Sequence, residues 1–289
     1  MLTINTAETL RNELRSLRRQ GATIGFVPTM GYLHEGHLSL VRLADKHCTH
    51  VFVSIFVNPA QFNDSQDYEK YPIDLARDSK LLAQENVHAL FVPGRDTVYG
   101  QSNSRDGAFQ SWVDVTQLSR EHEGACRPGH FRGVSTVVAI LFNLLQPDFA
   151  VFGEKDFQQL RLIEQMVSDL KFNLSILRAP LVREDDGLAM SSRNVRLSPE
   201  ARKAALLLSQ GLLAAKEEFS KGDRDSARLC RVVHEYLSTS SLIKPEYIKA
   251  VDEDRLSELS TIVRPARIIL AADVDGVRLI DNIALAEYD

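Results

Sequence analysis

The chain has 289 residues, room for one large domain and a smaller companion. Its 44% apolar and 25% charged residues are those of a packed globular protein, which excludes the disordered and fibrous classes. A net charge of −5 argues against a nucleic-acid partner, and three scattered cysteines (Cys48, Cys126, Cys230) without C-x-x-C spacing argue against a disulfide framework or a zinc site.

Leu2 to Gln20 reads as an amphipathic helix carrying Arg11, Arg15, Arg18 and Arg19. It lacks the continuous apolar run of a secretory signal, and the free thiols suit a reducing cytosol, so the expected location is cytoplasmic. Ala22 to Val27 reads as a buried strand, Gly36 to Cys48 as a helix and Val51 to Val57 as a strand rich in β-branched and aromatic residues. A helix follows over Asp74 to Asn86, then a short strand over Ala89 to Val92, stopped by Pro93-Gly94. Gly133 to Gln146 reads as a helix; its apolar stretch from Val134 to Leu145 is too short and too interrupted to span a bilayer. Asp148 to Phe152 is a strand, Phe157 to Leu170 a helix and Asn173 to Leu177 a strand. Strands alternating with helices indicate βαβ units and a parallel sheet.

The character then changes. Val182 to Asn194 is polar and irregular. Ser198-Pro199-Glu200 is a helix start, with Ser as cap and Pro at the first helical position, for a helix to about Ser220 ended near Gly222. A second helix covers Ser226 to Leu237, followed by strand-like pieces at Tyr247–Val251, Arg267–Ala271 and Val277–Ile280. The expected fold is therefore α/β, a Rossmann-like parallel-sheet domain with a smaller α+β C-terminal domain. No internal repeat or low-complexity segment is visible.

Five segments carry chemistry. Pro28 to His37 (P-T-M-G-Y-L-H-E-G-H) leaves a strand, turns at Gly31 and enters a helix near Gly36. A helix N-terminus offers free N–H groups and the positive end of a dipole, a seat for phosphate. His34 and His37 share a face of the first turn, where two imidazoles can donate to phosphates as charge builds on a departing pyrophosphate. Such a pair also arises by chance. His37-Leu38 stands where a Walker loop requires Lys-Ser/Thr, and the spacing is not G-x-G-x-x-G. What remains is the H-x-G-H signature of the nucleotidyl-transferring α/β superfamily, which includes class I aminoacyl-tRNA synthetases.

Val57 to Asn63 (V-N-P-A-Q-F-N) lies past the end of a strand, where open parallel sheets bind ligands. Gln61 offers a donor and an acceptor, which suits a hydroxy acid, although Asn58-Pro59 alone would make an ordinary turn. Arg127 to Val134 (R-P-G-H-F-R-G-V) is an anion loop, a lid or a plain surface turn. Phe152 to Leu160 (F-G-E-K-D-F-Q-Q-L) follows a strand and opens a helix. Lys155 suits a phosphate, Asp156 a ribose hydroxyl or Mg²⁺, and Gln159 the acid, while Glu154 alone fits a solvated helix start. Gly187 to Asn194 (G-L-A-M-S-S-R-N) gathers Ser191, Ser192 and Arg193, a donor cluster for a triphosphate or a polar linker.

In this order and spacing the five segments resemble the pantothenate synthetase (pantoate–β-alanine ligase) family, from about Ala22 to Leu197. The resemblance implies a nucleotide- and pantoate-binding domain over residues 1–180 and a small lid domain over 181–289. It implies two half-reactions. The carboxylate of (R)-pantoate attacks the α-phosphorus of ATP to give pantoyl-adenylate and pyrophosphate, then the β-alanine amine displaces AMP to give pantothenate. Carried over residue by residue, Met30, Gly31, Tyr32, Leu33, His34, Glu35, Gly36 and His37 would form the ATP phosphate loop, with His37 the proton donor and His34 beside it. Gly153, Glu154, Lys155 and Asp156, with Met190, Ser191, Ser192 and Arg193, would bind ATP, and Val182 would meet the adenine through its backbone. Gln61 would touch pantoate and β-alanine, and Gln159 would hold pantoate. Mg²⁺ would bridge the phosphates without a dedicated protein ligand set. His34, His37, Lys155 and Arg193 form the implied catalytic set, acting chiefly by charge stabilisation and positioning. The resemblance also implies a cytoplasmic homodimer with neither nucleic acid nor membrane as partner. One departure is Ile73, after Tyr71-Pro72, where the family often has arginine.

Two other readings share these residues. A nucleotidylyltransferase of the same fold would need a second phosphate site, against which the neutral Gln61 and Gln159 speak. A non-catalytic nucleotide-binding module would have no need to keep both His37 and Lys155.

Overall fold

A computed structural model describes residues 1–63, 65–100 and 109–286. The chain divides into two compact units, Met1–Glu154 with Leu162–Pro180, and Lys155–Arg161 with Leu181–Asp289.

The first unit runs β1 (Leu2–Ile4), α1 (Ala7–Arg19), β2 (Ile24–Thr29), α2 (Glu35–Asp45), β3 (His50–Ile55), α3 (Ser65–Glu69), α4 (Leu75–Leu82) and β4 (Val87–Phe91). It continues with α5 (Arg95–Tyr99), α6 (Glu123–Cys126), α7 (His130–Leu145) and β5 (Phe149–Gly153), then α8 (Phe157–Leu170), whose last nine residues belong to it, and β6 (Ser175–Ala179). Six strands form one sheet in the order β1-β4-β3-β2-β5-β6, every pair parallel. Its central strands are near-continuous apolar runs because helices cover both faces. Ile24, Phe26, Val27, Phe52, Val53, Leu90 and Phe91 are fully buried.

One expectation is corrected at the N-terminus. Leu2–Ile4 is not the first turn of a helix but an edge strand paired with β4, Ile4 opposite Phe91. The reason is Thr6. It adopts extended backbone and its hydroxyl accepts the Thr9 N–H (3.2 Å), so the helix starts at Ala7 and the residues before the cap are free to pair. From there Leu10, Leu14 and Leu17 give α1 its buried stripe. Three short helices, α3, α5 and α6, carry no periodic signal strong enough to read from sequence.

In the second unit, α9 (Pro199–Ser220) and α10 (Ser226–Leu237) precede an antiparallel sheet of β7 (Ile243–Asp252), β8 (Ala266–Val274) and β9 (Val277–Ala286). The Ser198 hydroxyl accepts the Ala201 N–H (3.1 Å), Pro199 takes the first helical position, and Gly222, at φ +105°, lets the chain leave the helix. Alternate β8 residues, Ile268, Leu270, Ala272 and Val274, join Leu208, Leu212, Leu229 and Val233 in the core. The opposite β8 face carries Arg267.

Candidate active site

β2 lies at the middle of the parallel sheet. The chain runs outward through β3 and β4 on one side and through β5 and β6 on the other, so the loop after β2 leaves the sheet where the strand order reverses. That loop holds the H-x-G-H segment. Gly31 sits at φ +86°, and a Cβ there would stand 3.0 Å from Ile55 Cγ2 and 3.1 Å from Asp78 Oδ2, so glycine is required by both conformation and space. Tyr32 is held at φ +51°.

Asp78, on α4, fixes this turn. Its side chain is 1% exposed, and its two oxygens accept the N–H groups of Tyr32 (2.7 Å) and Leu33 (2.8 Å). Burial pushes the Asp78 carboxyl above its ordinary value, and the two N–H groups and Arg77 oppose that rise. The Gly31 N–H goes to Thr29 Oγ1 (3.2 Å), and the His34 N–H goes to His37 Nδ1 (3.3 Å). The loop thus commits four successive N–H groups to its own scaffold. The first turn of α2 has N–H groups at Glu35 and Gly36 with no acceptor inside the helix, which suits an anion, and the rings of His34 and His37 lie 4.1 Å apart at its start. An N–H donated to His37 Nδ1 requires that nitrogen bare, which puts the proton of the neutral ring on Nε2.

Asn58 caps and Gln61 ends a 3₁₀ turn after β3. Asn58 Nδ2 donates to Gln61 Oε1 (3.1 Å) and to the Gly133 carbonyl on α7 (3.1 Å). Asn58 Oδ1 accepts the Ala60 N–H (3.2 Å) and the Tyr99 hydroxyl (2.7 Å). Gln61 Nε2 reaches Met30 Sδ (2.8 Å). The R-P-G-H-F segment is neither an open anion loop nor a plain surface turn: it grips this turn from behind. Arg127 donates to the Gln61 carbonyl (3.2 Å), His130 Nδ1 lies 2.7 Å from the same oxygen, and Asn63 Nδ2 donates to the Pro128 carbonyl. Gly133 makes the grip possible, since a Cβ would overlap the Ala60 carbonyl.

Within the second unit, Lys155 and Asp156 lie in the 3₁₀ turn just before α8, Lys155 Nζ 3.9 Å from Asp156 Oδ2. The Lys155 carbonyl accepts Asn282 Nδ2 (2.9 Å). Asn282 Oδ1 accepts Arg267 (2.6 Å), and Arg267 also donates to Glu253 (3.0 Å) and lies over the Phe157 ring. Next to Asn282 on β9, Asp281 takes a two-pronged bond from Arg183 (2.7 and 3.0 Å). Arg183 belongs to a small hairpin in which the Met190 N–H meets the Val182 carbonyl (3.1 Å) and Gly187 makes the turn at φ +92°. The hairpin leads into Ser191, whose hydroxyl caps the 3₁₀ turn Ser192–Arg196 by accepting the Arg193 N–H (3.2 Å).

The family model for pantoate–β-alanine ligase matches residues 2–284. The chain belongs to the pantoate–β-alanine ligase family. It is 46% identical to the pantothenate synthetase of Thermoanaerobacter pseudethanolicus and 47% identical to that of Thermotoga neapolitana, over 99% of this chain and 99–100% of theirs. Its fold is similar to the pantothenate synthetase of Thermus thermophilus (TM-score 0.92, 44% identity, 99% of this chain and 100% of that one). It is also similar to the pantoate–β-alanine ligase of Francisella tularensis complexed with β-γ ATP and β-alanine (TM-score 0.79, 33% identity, 100% and 99%).

Of the expected family residues in the first unit, His34 meets His37 and Met30 meets Gln61, while Gly153 ends β5, the neighbour of β2, and Glu154 follows it. In the second unit, Val182 pairs with Met190, Ser191 with Arg193, and Gln159 lies half-buried one turn beyond Asp156. Reading the sequence missed Asp78, Tyr99, Glu253, Arg267, Asp281 and Asn282, and saw Asn58 only as a turn former. Asp78 had a visible signal: it shares the buried stripe of α4 with Leu82, an apolar position filled by a carboxylate. No helix among the described residues is long and apolar enough to cross a membrane.

Proposed function

We propose that the chain condenses (R)-pantoate with β-alanine to pantothenate through pantoyl-adenylate, consuming ATP and releasing AMP and pyrophosphate. The observation that carries this is the first turn of α2 at the reversal point of the sheet, where His37 presents its Nε2 proton beside His34, in a chain of the pantoate–β-alanine ligase family. By likeness to the family, the residues that would bind the nucleotide are Met30–His37, Gly153, Glu154, Lys155, Asp156, Val182 and Met190–Arg193.

As pantoate's carboxylate attacks the α-phosphorus, negative charge moves onto the leaving pyrophosphate. His37 Nε2, His34, Lys155 and Arg193 stabilise that charge, and Gln61 and Gln159 hold the acid in line. The β-alanine amine then attacks the acyl carbonyl, and the electrons of the breaking bond leave with AMP. These segments offer imidazoles, a lysine and an arginine with few carboxylates, a set suited to a nucleotide that brings its own Mg²⁺ on its phosphates. The reading includes a lid role for residues 181–289, a cytoplasmic location and a homodimer, all resting on likeness to the family.

Pyrophosphate release from ATP and Mg²⁺ is measured with pantoate, with and without β-alanine. Pantoate-dependent release, with AMP and pantothenate formed on adding β-alanine, is expected; ATP binding without release removes the assignment, and product from a phosphorylated acceptor replaces it with a nucleotidylyltransferase. His37→Ala and Lys155→Ala are each expected to slow release by about 10²–10³ with the fold intact, as for loss of one oriented donor.

A further inference from the structure

The polar groups around Gln61 decide what that side chain can offer a substrate, and a tyrosine outside the motif reinforces the outcome. Asn58 is 1% exposed and touches two backbone groups of fixed character. The Ala60 N–H can only donate, so the Asn58 atom it meets is the oxygen. The Gly133 carbonyl can only accept, so the other Asn58 atom is the nitrogen. The orientation of this amide is therefore set by main chain on both sides. Since Asn58 Nδ2 also faces Gln61 at 3.1 Å, the Gln61 atom there is Oε1, and Gln61 turns its NH₂ the other way. One hydrogen of that NH₂ meets Met30 Sδ, and the second is the one available to a substrate.

Tyr99, at the end of α5, closes the chain. Its hydroxyl lies 2.7 Å from Asn58 Oδ1, an oxygen already committed as an acceptor, so the phenol donates. Burial pushes the Tyr99 phenol up to about 12, which keeps the donor protonated throughout the neutral range. Linked amides polarise one another: a proton donated into Asn58 Oδ1 makes its NH₂ a stronger donor to Gln61 Oε1, which sharpens the Gln61 NH₂ in turn. The Tyr99 ring is seated against Phe56 and Phe109, so the hydroxyl is held in place.

We propose that Tyr99 is a positioning residue which, by donating into Asn58, strengthens the Gln61 NH₂ as the donor this site offers, so that the site selects an oxygen acceptor on the acid substrate and not a donor such as an ammonium group. The proposal deepens the functional reading above and rests on it. A hydroxy acid offers carboxylate and hydroxyl oxygens that fit; the protonated amine of an amino acid, with three hydrogens and no lone pair, does not.

The test reads steady-state pyrophosphate release with β-alanine present, varying pantoate at saturating ATP and then ATP at saturating pantoate. Tyr99→Phe removes one hydroxyl and is expected to raise the KM for pantoate about three- to tenfold, the scale of one neutral hydrogen bond, with the KM for ATP changed less than about twofold. In a Gln61→Ala background the same change is expected to add less than about twofold, because Tyr99 acts through Gln61. Gln61→Glu, which has nearly the same shape but an acceptor in place of the NH₂, is expected to raise the KM for pantoate at least as far as Gln61→Ala. An unchanged KM for pantoate in Tyr99→Phe, an equal rise for ATP, a full Tyr99 effect without Gln61, or wild-type pantoate use by Gln61→Glu would each overturn the assignment. A wild-type chain without pantoate-dependent release would overturn the functional reading and this role with it.

Discussion

Asp78 shows how much of a loop can rest on one side chain. Two successive N–H groups in the H-x-G-H turn end on its carboxylate, and hydrogen bonds to a charged acceptor contribute about 1.5–3 kcal/mol each. Asp78→Ala leaves both donors unsatisfied beneath the loop that carries His34 and His37. The expected loss is about 3 kcal/mol or more in denaturant unfolding, with adenylate formation slowed by about 10²-fold, the effect of a small misplacement of reacting groups. Wild-type pyrophosphate release in a folded Asp78→Ala protein would show that the loop keeps its shape without the carboxylate. The N–H groups from Gly31 to His34 are already paired, so the main-chain donors this segment has left for a nucleotide lie in the first turn of α2.

At the scale of elements, the decisive contact is α7 against the turn after β3. In an exposed helix, Gly→Ala would gain about 1 kcal/mol of propensity. At Gly133 the added Cβ would overlap the Ala60 carbonyl and stand 2.8 Å from the Gln61 N, so the sign reverses. Gly133→Ala is expected to cost about 1–3 kcal/mol by overpacking and to raise the KM for pantoate, because the displaced turn carries Gln61. A more stable Gly133→Ala protein would mean the helix and turn yield easily.

Another joint brings β3, β4 and α1 together. The His50 ring meets the His88 ring edge-on at 4.8 Å, and His88 Nε2 lies 2.8 Å from Glu13 Oε1. Burial and the neighbouring His88 hold His50 below its ordinary 6.5, with Glu13 opposing. The folded state then binds this proton less readily than the unfolded chain, so the contribution is present above 6.5 and lost as pH falls through the window just below it. Thermal unfolding of His50→Asn is expected to show a flatter fall in stability on acidification below 6.5; an unchanged slope would assign that fall to other groups.

Over the whole molecule, each unit has its own core, and the second uses a buried ion pair to hold one backbone oxygen. Arg267 and Glu253 are each 6% exposed and connect through Asn282 to the Lys155 carbonyl. Buried pairs are weak sources of stability, whereas removing one partner strands the other charge. Arg267→Ala is therefore expected to cost about 3–5 kcal/mol in urea unfolding and to slow pyrophosphate release as Lys155 loosens. A neutral effect on both would show Glu253 relieved by water.

The sequence by itself determined the alternation of strands and helices, the extents of α8, α9 and α10, and the five motifs, because those depend on local periodicity, capping and short-range spacing. It determined less of β1, where a cap two residues on outweighed an apparent helical stripe. Only the tertiary structure decided which loop donors are already paired, which atom of Gln61 meets Asn58 and which meets Met30, and that Arg127 and His130 brace a turn. The physical reason is separation along the chain. Tyr32 and Asp78 are 46 residues apart, Asn58 and Gly133 are 75 apart, and Lys155 and Asn282 are 127 apart. A local pattern can mark one such residue, as the stripe of α4 marks Asp78, but not its partner, and a donor's fate is fixed only when the fold brings its acceptor within about 3 Å.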